Sequence, residues 1–150
     1  MENMDERSPI VRIGDSLRKL NQAFFQATRR EAEACGVTPI QFLVLRILKK
    51  YPHIGLNELS ELMYTGASTV SGIVERLVRA GLIKRERAEK DRRSVVLNLT
   101  SAGEELVVKA HERIMQRLSP LRQLSDEEVD HLLRIHETII QILQQTREDT

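Results

Sequence analysis

Tryptophan is absent from this chain of 150 residues, cysteine occurs once, and aromatic residues make up only 3% of it. A lone cysteine, Cys35, excludes an intramolecular disulfide and fits a reducing compartment. No apolar run approaches the roughly 18 residues of a membrane span. The stretch from Met1 to Pro9 is acidic and polar, where a secretory signal would be basic and then apolar. A cytoplasmic protein with no membrane partner is expected. Catalytic signatures are missing too: there is no nucleophile elbow, no Walker A loop and no GxGxxG, so nothing points to an enzyme. His53, His111, His131 and His136 form no i, i+4 pair and have no cysteine at metal-ligand spacing. They read as structural or surface histidines, with neither metal nor cofactor expected. Internal repeats and low-complexity segments are also absent.

Net charge is nearly lacking as well, at +1, but it is unevenly distributed. Residues 38–100 hold 11 Lys and Arg against 6 Asp and Glu, whereas the remainder holds 12 against 16. A basic middle between acidic ends fits a lobe that faces phosphate, because affinity follows local charge rather than the total. Ordinary surface scatter is the alternative on charge alone. At 41% apolar residues the chain has enough material for a real core.

The basic middle has a readable order. Leu59, Leu62 and Met63 predict a short helix over 56–63, and Tyr64-Thr65-Gly66-Ala67 supplies a turn of the length that joins two steeply crossing helices. A second helix follows over 68–80, closed by Gly81. On it Val70, Ile73, Val74, Leu77 and Val78 form one stripe, leaving Ser68, Gly72, Glu75, Arg76 and Arg79 opposite, with Thr69 and Ser71 on the flanks. Such short polar groups can approach base edges and phosphates closely. The period then changes from 3.6 toward 2, over Leu82–Arg87 and Ser94–Leu99, which predicts a β-hairpin. Its loop region carries Lys84, Arg85, Arg87, Lys90, Arg92 and Arg93 against Glu86, Glu89 and Asp91. A helix-turn-helix followed by a basic hairpin is a winged helix.

Gly81-Leu82-Ile83 ahead of a basic wing, then Asp91-Arg92-Arg93 and Leu97-Asn98-Leu99-Thr100, resembles the MarR family of bacterial winged helix-turn-helix transcription regulators. The resemblance extends over nearly the whole chain, since helices of suitable length flank the wing on both sides. It implies a mainly α fold with a small β-hairpin wing: one domain over 8–146, with a DNA-binding lobe at 38–100, its helix-turn-helix at 55–80 and its wing at 82–99. Helices at 8–35 and 101–146 would form the dimerisation lobe. The implied function is a homodimeric repressor on double-stranded DNA, bound to a pseudo-palindromic operator and released by a small-molecule effector or another signal; no residue pattern here identifies such a ligand. Candidate DNA-binding residues are Gly66, Ala67, Ser68, Thr69, Ser71, Gly72, Arg76, Arg79, Arg87, Lys90, Arg92 and Arg93.

Arg93 is the sharpest of these, because the resemblance places an arginine there and a hairpin tip is thin enough for a minor groove. Asp91 is expected to orient a wing arginine through a charge-assisted pair, or else to serve as an Asx-type turn residue. Gly72 departs from the family, where many members carry a long polar side chain. It reads either as close approach of the backbone to DNA or as tolerance at an exposed site.

The flanking segments suggest a second copy of the chain. Ile10, Ile13, Leu17, Leu20, Phe24 and Ala27 give the first helix a narrow seam, closed by Gly36. Thr38-Pro39-Ile40-Gln41 starts a core helix, apolar nearly all round, that ends at Tyr51-Pro52. His53–Leu56 is long enough for a minimal strand beside the hairpin. Thr100 caps a helix to about Leu118, Ser119-Pro120 breaks it, and Ser125 to Glu128 forms a capping box for a last helix to about Thr146. On that helix Ile135 and Ile142 widen the stripe of Val129, Leu132, Leu133, His136, Ile139, Ile140 and Leu143 beyond an ordinary core face. Ile10, Ile13, Leu17, Leu20, Ile135, Ile139 and Ile142 are therefore the candidate dimer contacts.

Two other functions share this fold: a protein-interaction module without DNA binding, and a thiol or metal sensor. Basicity of the wing argues against the first. Peroxide sensors of the family carry their thiol near the start of the first helix, whereas Cys35 lies at its end, where the helix terminus disfavours a thiolate.

Overall fold

The computed structural model describes residues 8–91 and 93–148, the last two by backbone alone. Helix α1, Pro9–Ala34, runs to a left-handed glycine, Gly36 at φ +85°, and buries only Ala32. Thr38 then writes the next start into the backbone. Its hydroxyl accepts the Gln41 N–H at 3.2 Å, and the Gln41 side-chain oxygen accepts the Thr38 N–H at 3.0 Å, with Pro39 at the first helical position. Helix α2, Pro39–Lys50, buries Phe42, Val44, Leu45, Ile47 and Leu48. A helix this apolar must be surrounded. It touches α1, α3 (Leu56–Met63), α4 (Ala67–Arg79) and the second strand of the wing.

The wing is an antiparallel hairpin of β1, Ile83–Arg87, and β2, Val95–Leu99, with Ile83 opposite Leu99 and Arg87 opposite Val95. Ile83, Leu97 and Leu99 turn into the core. The strand expected over His53–Leu56 shrinks to one bridge, Ile54 with Leu97, whose N–H donates to the Ile54 carbonyl at 2.8 Å. The cause is local. His53 takes a left-handed φ of +59°, Gly55 caps α3 and Leu56 already belongs to it, which leaves Ile54 alone to pair.

Helix α5, Ser101–Leu118, buries Gly103, Val107, Ala110 and Ile114 along one stripe. Thr100 fastens its start to the wing's base. The Thr100 N–H donates to the Leu82 carbonyl at 3.1 Å, its hydroxyl donates to the Gly81 carbonyl at 2.6 Å, and that hydroxyl oxygen accepts the Gly103 N–H at 3.1 Å. Ion pairs of Lys49 with Glu104 and of Glu31 with Arg113 tie α5 to α2 and α1.

Leu118 onward forms a second compact unit: a 3-10 turn, Ser119–Gln123, and helix α6, Asp126–Glu148. The Ser125 capping box forms, with the Ser125 N–H donating to Glu128 at 2.8 Å and the Glu128 N–H to the Ser125 hydroxyl at 3.2 Å. No described side chain of α6 is buried. Among the described residues no helix is long and apolar enough to cross a membrane.

Gly103 marks the tightest point. A Cβ there would lie 2.1 Å from the Leu82 carbonyl oxygen, which is backbone and cannot swing aside. Gly103→Ala should therefore lower stability in urea unfolding by about 1–3 kcal/mol, the usual cost of overpacking. An unchanged midpoint would contradict that packing.

Candidate nucleic-acid interface

Helix α4 is split by its own periodicity. Val70, Val74 and Leu77 are buried to 2% exposure or less, and Ile73 and Val78 are half-buried, so one side is committed to α2, α3 and β1. The other side remains open: Ser68, Thr69, Ser71, Gly72, Arg76 and Arg79 are all exposed. Gly66 is the N-cap and Ala67 the first helical residue, both exposed, and no side chain caps the first turn. Its free N–H groups and the helix dipole favour an anion at that end. A Cβ at Gly72 would meet nothing within 4 Å, so packing within the chain does not demand glycine there.

The wing has a fastened root and a loose tip. At the root Lys84 pairs with Glu86 at 3.0 Å, and Arg85 pairs with Glu75 of α4. Arg79 reaches the same Glu75 at 3.4 Å. The Arg85 hydrogen bond and charge, with Arg79 adding, hold the Glu75 carboxyl below its usual range. This strap between α4 and the wing is thus complete at neutral pH and is lost only as pH falls through that lowered value. At the tip Arg87, Lys90 and Arg93 are exposed, and no ion pair engages them among the described residues. Arg92 lies outside the described residues.

Asp91 shapes the tip through the backbone. Its carboxylate accepts the Arg93 N–H and the Ser94 hydroxyl, both at 3.0 Å, while the Ser94 N–H donates to the Asp91 carbonyl. Of the two roles open to it, this is the Asx-type turn. Arg93 is oriented by its main chain, with its guanidinium left unpaired among the described residues.

Two features escape the sequence pattern. Glu75 stands on the open face of α4, but its partner is ten residues away on a strand, and only the packing of β1 beside α4 brings them together. Tyr64 caps α3 in a left-handed conformation, φ +53°, and is 93% exposed in the turn that leads into α4. An aromatic beside a turn glycine, in a chain this poor in aromatics, was the available signal.

The proposed dimer residues are uncovered in the single chain. On α1, Ile10 is 81% exposed, and Ile13, Leu17 and Leu20 are exposed beside Phe24 and Phe25. On α6, Ile135 and Ile142 are exposed and Ile139 is half-buried. A cavity of about 680 Å³ opens between α1, α2 and α4, lined by Phe25, Arg29, Pro39, Thr69, Ile73 and Arg76 among others.

The MarR family pattern matches residues 37–95, from α2 to the start of β2. The chain is 37% identical over 115 residues to the HTH-type transcriptional repressor MdtR of Bacillus subtilis, covering 72% of this chain and 73% of that one. Its fold is similar to that of a mutant MarR from E. coli complexed with operator DNA, at a TM-score of 0.81 and 21% identity, covering 92% of this chain and 99% of the other. It is also similar to the transcriptional repressor CouR bound to a 23-mer DNA duplex, at a TM-score of 0.77 and 25% identity over 93% of this chain and 99% of that one.

The open space at Gly72 decides the sign of a simple test. Gly72→Ala should raise unfolding stability by about 0.5–1 kcal/mol, the helix-propensity difference with no clash to offset it. A loss of stability would mean that the site is closed in solution.

Proposed function

The chain belongs to the MarR family, and on that premise we propose that it is a homodimeric, sequence-specific DNA-binding repressor of transcription that occupies a pseudo-palindromic operator. The observation that carries this reading is the pairing of a helix whose open face is small and polar with a hairpin tip whose cations have no acidic partner among the described residues. Cations already paired within the protein contribute little to phosphate binding, whereas Arg87, Lys90 and Arg93 are free to release counterions from DNA. Ser68, Thr69, Ser71 and Arg76 are of the size and chemistry that read base edges in a major groove, with Gly66 and Ala67 presenting helix N–H groups to phosphate. Gly72 on the open face, Arg79, shared with Glu75, and Arg92 complete the set. Repression is supported by the name of the Bacillus subtilis relative MdtR, and duplex binding by the CouR complex.

One reading helix contacts only a few base pairs, and specific affinity needs more interface than that. A second copy supplies it. The exposed apolar rows of α1 and α6 are more than a monomer of this size normally leaves in water. The cavity between α1, α2 and α4 lies in the range that holds small molecules and has Thr69, Ile73 and Arg76 of the reading helix in its wall. An effector seated there would bear on the helix that reads DNA, which is how release would occur. Cys35, half-exposed just after α1, is not among the residues that line this cavity.

Replacing Arg93 with alanine should weaken binding on every duplex and lower the slope of affinity against salt by roughly one unit for the lost phosphate contact. Ile135→Asp or Ile142→Asp should turn a dimer into a monomer in analytical ultracentrifugation and weaken DNA binding with it. A parent protein that sediments as a monomer at micromolar concentration, or an Arg93→Ala protein that binds like the parent at every salt concentration, would overturn the reading.

A further inference from the structure

Only two polar side chains are buried among the described residues, Ser60 and Asn98. Ser60 is explained locally, its hydroxyl donating to the Leu56 carbonyl one turn back. Asn98 is not local. It sits in β2 opposite Lys84 at 7% exposure, and a buried amide is costly unless its hydrogen-bonding groups find partners. They do so across 45 residues of sequence. The Asn98 side-chain oxygen accepts the backbone N–H of His53 at 2.9 Å, and its nitrogen donates to the Glu86 carboxylate at 3.0 Å and meets His53 Nδ1 at 2.9 Å.

The orientation of this amide is fixed by chemistry. A backbone N–H can only donate, so the atom facing it is the oxygen, and the nitrogen has to face both Glu86 and His53. Both hydrogens of that nitrogen are then in use, and His53 Nδ1 must accept one of them. The imidazole is therefore neutral, with its proton on Nε2. A second proton would set N–H against N–H. The groups around it give that proton somewhere to pull. Glu86 and Glu89 line the hollow beside His53, with Arg87 and Lys90 as the cations on the same wall. The Lys84 hydrogen bond and charge, with the bond from Asn98 and the attraction of a protonated His53, hold Glu86 below the usual carboxylate range, so it is anionic at neutral pH. An imidazolium would compete with Asn98 for it.

We propose that Asn98 is a positioning residue for the wing, clamping the hairpin to the loop between α2 and α3 through a His53 that must be neutral, so that proton uptake by this one imidazole loosens the wing and weakens DNA binding. This rests on the DNA-binding reading above. Besides the clamp, the Ile54–Leu97 bridge joins that loop to β2. His53 is held in a left-handed conformation that asparagine adopts more readily than most residues, and the asparagine oxygen stands close to where Nδ1 was. His53→Asn thus keeps the backbone and the acceptor but has no ring nitrogen to take up a proton.

The test measures affinity between pH 8 and pH 5.5 for a duplex selected from random DNA by the parent protein. The parent should lose up to about tenfold in affinity across that range, the weight of one hydrogen bond, beyond whatever its other groups contribute. His53→Asn should match the parent at pH 8 and show a flatter profile. Asn98→Leu should bind more weakly at pH 8 and be equally flat. Parallel profiles for the parent and His53→Asn overturn the proposal. A readout without DNA stands beside it: the imidazole ¹⁵N shifts of the parent at pH 8 should report a proton on Nε2, and a proton on Nδ1 overturns the clamp. A parent that selects no duplex refutes the DNA-binding reading instead, while the ¹⁵N shifts still decide the clamp.

Discussion

One threonine hydroxyl holds the junction on which both α4 and the wing depend. Thr100 donates to the Gly81 carbonyl, accepts the Gly103 N–H, and through its own N–H is bonded to Leu82, so the end of α4, the start of the wing and the start of α5 meet at one residue. Each neighbour is shaped to allow it. Gly81 takes φ +73° to turn the chain out of α4, and Gly103 has no Cβ because the Leu82 carbonyl occupies its place. The Gly-Leu-Ile and Leu-x-Leu-Thr segments are thus two halves of one joint. Without it, neither the angle of the wing nor the seat of α5 would be defined.

From that joint outward the structure separates rigid from free. Helix α4 is locked by Val70, Val74 and Leu77, strapped to β1 by Glu75 and Arg85, and backed by the fully buried side chains of α2. The wing's root is pinned by the Ile54–Leu97 bridge and by Asn98. Among the described residues of the wing, the cations without an ion pair, Arg87, Lys90 and Arg93, lie at the tip. A surface that must fit a duplex benefits from this arrangement, since preorganised groups lose less entropy on binding while loose cations can follow the phosphates. The exposed strap itself contributes little to stability in water. Its effect is on direction: it fixes where Arg79 and Arg85 point.

Much of this was legible in the residues because it is local. The capping boxes at Thr38 and Ser125, the stripe of α4, the change of period after Gly81 and the cap at Thr100 each depend on neighbours a few positions apart, and each stands where the pattern puts it. What was not legible depends on distance or on a backbone choice. His53 gives no sign in the sequence that it will adopt a left-handed φ, and that choice is what reduces the expected strand to one bridge. Nothing next to Asn98 in the sequence signals its burial, which comes with hydrogen bonds to His53, 45 residues away. Asp91 carried two roles in the sequence, and only the turn geometry at 3.0 Å distinguishes them. Glu75 and Tyr64 were visible as residue types but not as strap and exposed turn aromatic.

Selection of bound sequences from random duplex DNA by the full chain tests the central claim most directly, because it asks for specificity and symmetry in one measurement. The account predicts enrichment of a two-fold related motif with half-sites centred about one helical turn apart, roughly 10 to 10.5 base pairs, so that both copies of α4 enter the major groove on one face. Recovery of sequences with no common motif, or of a lone half-site with no two-fold partner, would contradict it.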